Sequence, residues 1–425
     1  MKKLLHDNFG ISGEILSLCE KVIKEIEPHL SRIKETVKCN QLKVLSAFRN
    51  NKISETHFHG TTGYGYNDGG REAIDSVYAE VFGAEDALVR HNIINGTHAV
   101  SLCLFAVLRP GDTLVCATGK PYDTLEEAIG IRGEGGGSLK NFGINYRQAE
   151  LVGGKVNHNS IMSTVDKNTK AVLIQKSKGY DWRPSLSNSD IGEIIREIKE
   201  INEDIVCIVD NCYGEFVERD EPCEYGADLV AGSLIKNPGG GLAPVGGYIV
   251  GKKHFVELCA YRLNSVGLGK HVGATLDTNK AILQGFFIAP HIVGECMASA
   301  LFCGAVFKKL GFEICPDIGD SRTDIIQAIK LGSEDAVIKF CQGIQKASPI
   351  DSFVTPVPWD MPGYDHKVIM AAGTFTQGAS IELSADAPIK PPYIAYLQGG
   401  LTFDSAYIGI MSAVKNLYDS GLIKI

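Results

Sequence analysis

No stretch of this chain approaches the roughly 20 consecutive apolar residues of a membrane-spanning helix. Its 12 cysteines include no C-x-x-C pair and no regular spacing. The first absence argues against a membrane partner, the second against a disulfide framework. An excess of basic charge is missing too: 42 Lys and Arg stand against 50 Asp and Glu, for a formal net charge of −8. Nucleic acid demands a basic footprint, so it is not an expected partner. The opening MKKLLHDNFG carries lysines without the apolar run of a secretion signal. Cys103, Cys116 and Cys207 lie within apolar runs and read as reduced core residues, which makes the cytoplasm the expected location. There is no internal repeat and no low-complexity tract.

What the chain does have is length and pattern. Its 425 residues, 44% hydrophobic and 22% charged, exceed what one compact core accommodates. The expected division is a helical arm over 1–60, a large domain over 61–300 and a small carboxyl-terminal domain over 301–425. Ile15, Leu18, Val22, Ile26, Leu30, Ile33 and Val37 recur at helical spacing, with Pro28 as an expected bend or break. Six short, β-branched runs follow: DALVR, DTLVCAT, KAVLIQ, DIVCIVD, DLVAGS and GGYIVG. Strands that are apolar almost throughout are buried on both faces. With helical segments at 96–108, 124–130 and 189–200 between them, the expected fold is α/β, a mostly parallel sheet with helices on both faces. Residues 273–310 read as an apolar helix broken near Pro290. From about 300 onward, SEDAVIKFCQGIQKA reads as helix, while HKVIMAAGTF and GASIELSAD read as strands, an α+β arrangement. GEGGG at 133–137 reads as a surface loop.

Ligands of open α/β sheets bind at the carboxyl ends of the strands, and four stretches place polar residues there. In HNIINGTHAVSLCLFAVL, Asn95 or Thr97 can cap a helix, leaving the N–H groups of Gly96, Thr97 and His98 for an anion. Asp210 closes the DIVCIVD run, where an acid needs a cation or donors. Ser233 and Lys236 follow DLVAG. A lysine becomes a good nucleophile when desolvation or nearby positive charge lowers its pKa, and the glycines after it admit a flat ring. Tyr122 follows DTLVCAT and offers an aromatic face. In this order the four supply what pyridoxal phosphate needs: donors for the phosphate, a face for the ring, a carboxylate for the ring nitrogen and an amine for the aldehyde.

These residues resemble the fold-type-I pyridoxal-phosphate enzymes, specifically their cystathionine/methionine lyase group. VDNCY is similar to that group's VDN motif, GSLIK to its Ser-x-x-Lys, NGTHA to its phosphate turn, and PYDT to the segment whose tyrosine stacks on the ring. SLIKNPGGGLAPVGGYIVG, GYGYNDGGRE and TFTQGASIELSAD resemble a bacterial branch named for aluminium resistance, over about 55 to 400. The resemblance implies Lys236 as the cofactor-bearing amine, Asp210 on the ring nitrogen and Ser233 on the phosphate. It further implies a homodimer or homotetramer with shared active sites, Tyr64 reaching the neighbouring subunit's phosphate, and an amino-acid substrate. Two features depart from the group: Arg71 replaces a nearer arginine beside Tyr64, and GASIELSAD lacks the arginine that binds a substrate carboxylate. Arg183 and Arg262 are the remaining candidates for that anchor. The expected chemistry is β- or γ-elimination from a sulfur-containing amino acid. The alternatives are transamination, aldol cleavage or decarboxylation on the same cofactor, a metal site using His57 and His59 with His91 and His98 nearby, and a cofactor-binding protein without turnover.

Overall fold

The structure is a computed structural model describing residues 2–133, 135–361 and 364–425. Glu134, within the expected 133–137 loop, lies outside the described residues. The chain forms two compact units, Cys39–Ala289, and Met1–Lys38 together with Pro290–Ile425.

The first unit is built on a seven-stranded sheet of β1 (Asp86–Arg90), β2 (Thr113–Cys116), β3 (Asn145–Gln148), β4 (Thr169–Gln175), β5 (Val206–Asp210), β6 (Leu229–Ser233) and β7 (Gly247–Gly251). The order is β1-β7-β6-β5-β4-β2-β3. Pairs from β6 through β5, β4 and β2 to β3 are parallel. Strand β7 runs antiparallel to both β1 and β6. The reason lies in the connection: residues 234–246 hold only a short 3-10 turn, Asn237–Gly239, and no crossover helix to return the chain in the same direction. All six strands read from the sequence are present; β3, half exposed and polar (NYRQ), had no apolar run to reveal it. Helices Gly96–Val107 and Lys253–Leu263 pack together on one side, joining Val100, Cys103, Val256 and Cys259 to Leu88, Ile208 and Ile249 of the sheet in one apolar core.

The second sheet is wholly antiparallel: β8 (Glu313–Cys315), β9 (Gln327–Lys330), β10 (Val368–Ala371), β11 (Ser384–Pro388) and β12 (Ile394–Gln398), in the order β10-β11-β12-β9-β8. Of the expected strand GASIELSAD, only Ser384–Asp386 are strand residues. Helix Glu334–Lys346 packs on this sheet and against helix Phe403–Asp419.

Neither Pro28, an expected bend or break, nor Pro290, an expected break, ends its helix. Gly13–Asn50 is one helix containing Pro28, and Asn279–Lys309 is one helix containing Pro290. An interior proline costs about 3 kcal/mol through a lost hydrogen bond and a crowded turn. Burying one large apolar side chain returns about 1.5–3 kcal/mol. Ile15, Val22 and Ile26 on the first helix, and Phe286, Val293 and Phe302 on the second, are all buried, so packing wins. Helix Asn279–Lys309 is also long and apolar enough to cross a membrane by composition, contrary to the residue-by-residue reading. Its most apolar 18-residue window is 78% buried inside the protein.

The contact between the two carboxyl-terminal helices is tight at Gly343, where a Cβ would come within 2.4 Å of Ala413 Cα and 2.8 Å of Ser412 O. Backbone atoms cannot swing aside as a flexible side chain would. Gly343→Ala gains about 1 kcal/mol of helix propensity but incurs about 1–3 kcal/mol of overpacking. A net loss of stability is expected in chemical denaturation, and an unchanged or raised midpoint would contradict this packing.

Candidate active site

The parallel strands end together. Register pairs Gln175 of β4 with Asp210 of β5, and Asp210 with Ala231 of β6, so the chain leaves three adjacent strands at one edge of the sheet. Asp210 is the last residue of β5 and Ser233 the last of β6, three positions before Lys236. The N-terminus of helix Gly96–Val107 comes to the same place: a Cβ on Gly96 would lie 2.8 Å from Cys212 Sγ and 3.6 Å from Ser233 Cβ.

Asp210 is buried, and its Oδ1 accepts a hydrogen bond from the Cys212 N–H at 3.1 Å. Burial pushes its carboxyl upward, while Lys236 and the Cys212 bonds pull it down; the net shift is upward. Lys236 Nζ lies over the Tyr213 ring, 4.0 Å from its centroid. Tyr213 adopts φ 73°, a left-handed conformation uncommon for a bulky residue, which turns the chain back over the strand end. Burial disfavours the Lys236 ammonium, but Cys212, Tyr213, Asp210 and Tyr122 around it favour the charge, and its pKa is raised well above the usual value. These residues alone therefore do not provide the lowered pKa expected from desolvation; the site as it stands keeps the amine protonated.

The helix N-terminus is only partly as expected. Asn95 is the cap, and its Oδ1 takes the His98 N–H at 2.8 Å, while His98 Nδ1 accepts from Ile94 N at 3.2 Å. His98 is thus committed within its own turn, a correction to its reading as an anion donor, because a capping side chain satisfies the N–H two or three residues on. Among the described residues, the N–H groups of Gly96 and Thr97 have no acceptor. The Ser233 hydroxyl is buried, also without a partner. Tyr122 donates its OH to Thr97 Oγ1 at 3.3 Å, and its N–H goes to Gln175 Oε1 at 3.2 Å. Gln175 Nε2 in turn donates to Ser177 O at 3.0 Å, tying the Tyr122 turn to the loop after β4.

The structure brings Gly96, Thr97, Tyr122, Asp210, Ser233 and Lys236 to one strand-end cluster. It does not bring Tyr64, which is 70% exposed and stacks on Tyr66 with centroids 5.5 Å apart. Arg71 is buried and bonds Gly65 O, Gly273 O and His271 O, bracing that exposed turn. Arg183 braces the loop after β4 through Ser177 O and Pro184 O, and the Arg262 guanidinium sits 5.1 Å from the Phe105 centroid. His57 Nδ1 accepts from Ser54 N, and no group of three or more metal-binding side chains occurs among the described residues. Sequence reasoning passed over Cys212, Tyr213 and Gln175. The first two adjoin Asp210 and the third ends a strand, so the strand-end rule reaches them; only their side-chain types lacked a ready chemical meaning.

The cluster fits pyridoxal phosphate. The unused donors of Gly96, Thr97 and Ser233 suit a phosphate, the buried Asp210 suits a protonated ring nitrogen, and Lys236 supplies the amine.

A family model described as methionine gamma-lyase matches residues 15–418. Protein YnbB of Bacillus subtilis is 52% identical over 417 residues, covering 97% of this chain and 98% of its own. A carbon-sulfur lyase involved in aluminium resistance from Clostridium novyi is 48% identical, with a TM-score of 0.94 over 98% of each chain. The pyridoxal-5'-phosphate-dependent protein YhfS of Escherichia coli is 14% identical, with a TM-score of 0.61 over 91% of this chain and 97% of its own. It shares the fold alone, that of the fold-type-I pyridoxal-phosphate enzymes.

The close approach of Gly96 to Cys212 is open to a double-mutant cycle. Gly96→Ala should destabilise the protein by about 1–3 kcal/mol through overpacking. In a Cys212→Ala background the same change should cost at least about 0.5 kcal/mol less, because the sulfur it meets is gone. Equal costs in the two backgrounds, read from denaturation midpoints, would separate the helix turn from Cys212.

Proposed function

The chain belongs to the methionine gamma-lyase family, and on that premise we propose that it is a pyridoxal-phosphate-dependent carbon–sulfur lyase eliminating a thiol from a sulfur-containing amino acid. The observation that carries this reading is the convergence of Asp210, Ser233 and Lys236 with the Gly96 turn and Tyr122 at one edge of the sheet.

The cofactor supplies, when bound, an electron sink for a carbanion at the substrate's α-carbon. Gly96 and Thr97 present N–H donors at the positive end of a helix, and Ser233 adds a hydroxyl, so a dianionic phosphate finds donors without displacing existing bonds. Asp210 holds a proton on the ring nitrogen; its burial makes a lone carboxylate unfavourable and a cationic partner favourable. Tyr122, held from both ends by Thr97 and Gln175, offers an aromatic face whose position does not depend on its own loop. Lys236 would hold the cofactor through its amine, and the same amine is the base placed to take the proton from the substrate's α-carbon. A sulfur substituent at the β or γ carbon then leaves and takes up a proton as a thiol, and one water molecule hydrolyses the remaining enamine to ammonia and an oxoacid. Tyr64 belongs to the same reading: exposed on its own subunit, it suits the neighbouring phosphate site of a homodimer or homotetramer. The proposed location is the cytoplasm.

Two substitutions test the roles separately. Lys236→Ala should remove both the visible absorbance of the cofactor-loaded protein and all turnover. Asp210→Asn should keep the cofactor but lower kcat by at least about 100-fold, the order found when one charge-stabilising group is removed. Methionine and cystathionine should release ammonia and an oxoacid. Transfer of the amino group to an added oxoacid, without ammonia, would reject the lyase reading, and full absorbance and activity in Lys236→Ala would reject the site.

A further inference from the structure

We infer that Glu215 is a neutral carboxylic acid buried beneath the Lys236 turn, and that it positions this turn in its protonated form. The inference rests on the reading of Lys236 given above.

Glu215 lies five residues past Asp210 and is 0% exposed. Its Oε1 accepts from the Tyr248 hydroxyl of β7 at 2.8 Å. Its Oε2 has no partner among the described residues. A carboxylate withdrawn from water with one side-chain donor and an unpartnered second oxygen is costly, and such groups stay neutral instead. The neighbouring chain is shaped around this group. A Cβ on Gly232, the residue before Ser233, would lie 2.6 Å from Glu215 Oε1 and from a Tyr248 ring carbon. From its backbone, Glu215 O accepts Asn237 Nδ2 at 3.0 Å, gripping the residue that follows Lys236. One residue thus touches the turn on both sides: its side chain against the strand entering it, its carbonyl on the segment leaving it.

The titratable groups facing Glu215 are Tyr248 from β7, Tyr78 from helix Gly69–Val81, Glu221 from the segment before the 3-10 turn Pro222–Tyr225, Lys236 itself, and Cys212 on its own turn. Lys236 is the one cation in this set. Burial pushes the Glu215 carboxyl up to about 8, with Glu221 adding to the rise and its hydrogen bonds and Lys236 opposing it. Its ionisation would place a charge with one unpartnered oxygen at the base of the turn and draw the Lys236 ammonium toward it.

The sign of the linkage follows. The folded pKa lies above the ordinary value, so the native state holds an extra proton between the two. The stabilisation is complete below the ordinary carboxyl range, declines as pH rises, and is lost once pH passes the folded value near 8. Glu215→Gln removes this titration while keeping shape and polarity.

The test is denaturant unfolding of the cofactor-free protein from pH 5 to 9.5 at fixed protein concentration, for wild type, E215Q and Y248F. The ratio of wild-type to E215Q unfolding constants should rise by up to about tenfold per pH unit between about 5 and 8, then level off. Y248F removes the donor to Oε1 and should move the levelling point to higher pH. A ratio flat across the range means Glu215 is already ionised and overturns the inference; if E215Q does not fold, a flat wild-type to Y248F ratio does the same. With pyridoxal phosphate added, E215Q should shift the midpoint of the visible absorbance titration relative to wild type. An unmoved midpoint confines Glu215 to packing and overturns its positioning role. Wild type that binds no pyridoxal phosphate would sink the lyase proposal while leaving the unfolding comparison decisive for Glu215.

Discussion

The alignment of β4, β5 and β6 is the constraint on which the candidate site depends. Parallel pairing fixes Gln175, Asp210 and Ala231 side by side. A slip of one residue would reverse the faces of β5 and send Asp210 to the opposite side of the sheet from its present neighbours. Such a slip is strongly opposed, since Val206, Cys207, Ile208 and Val209 are all buried and both faces of the strand are covered. The apolar run that makes β5 legible as a strand is thus also what holds its terminal acid in register with Gln175 and Ala231.

Buried polar groups elsewhere in the same unit show how different the site is. Asp75 pairs with Arg90 at 2.7 Å, Asp228 with Lys199 and Lys252 at 2.8 and 2.6 Å, and Lys176 with Asn188 and Glu218 at 2.5 and 2.7 Å. Burying a charge costs several kcal/mol unless it is paired, roughly, and these pairs meet that condition. At the strand ends the Ser233 hydroxyl and the Gly96 and Thr97 N–H groups, three donors close together, have no partner among the described residues. Adjacent unused donors at the ends of neighbouring strands are the feature on which the cofactor proposal rests.

The sheet and the chemical cluster were largely legible in the sequence because both rest on local pattern. Continuous apolar runs marked six strands, and polar residues at their ends marked Asp210, Ser233, Lys236 and Tyr122. The rest depends on contacts that sequence spacing does not encode. Pro28 read as a bend or break and Pro290 as a break because propensity is local, whereas the burial that carries both helices through them is not. His98 read as a donor because its turn looked like an anion site, and only the geometry of Asn95 shows its N–H already used. Glu215 had no signal at all: an acid in NCYGEF looks like any surface glutamate until Gly232 and Tyr248 enclose it.

The acids around Lys236 give the site a definite proton economy. Asp210, Glu215 and Glu221 are all pushed upward by burial, and Lys236 opposes the shift at the first two. Lys176 and Lys43 oppose it at Glu221, so Asp210 and Glu215 are the two acids that compete for the Lys236 ammonium. Asp210 has the better claim to ionise, since it accepts from Cys212 and stands where a cationic ring nitrogen would complete its pairing. Glu215 has the weaker claim, with one side-chain donor, an unpartnered second oxygen and Glu221 nearby. Two carboxyl groups five residues apart thus sit in environments that favour ionisation unequally. Under the proposed function, environment rather than residue type decides which of them would meet a cationic ring and which would pack uncharged beneath the turn.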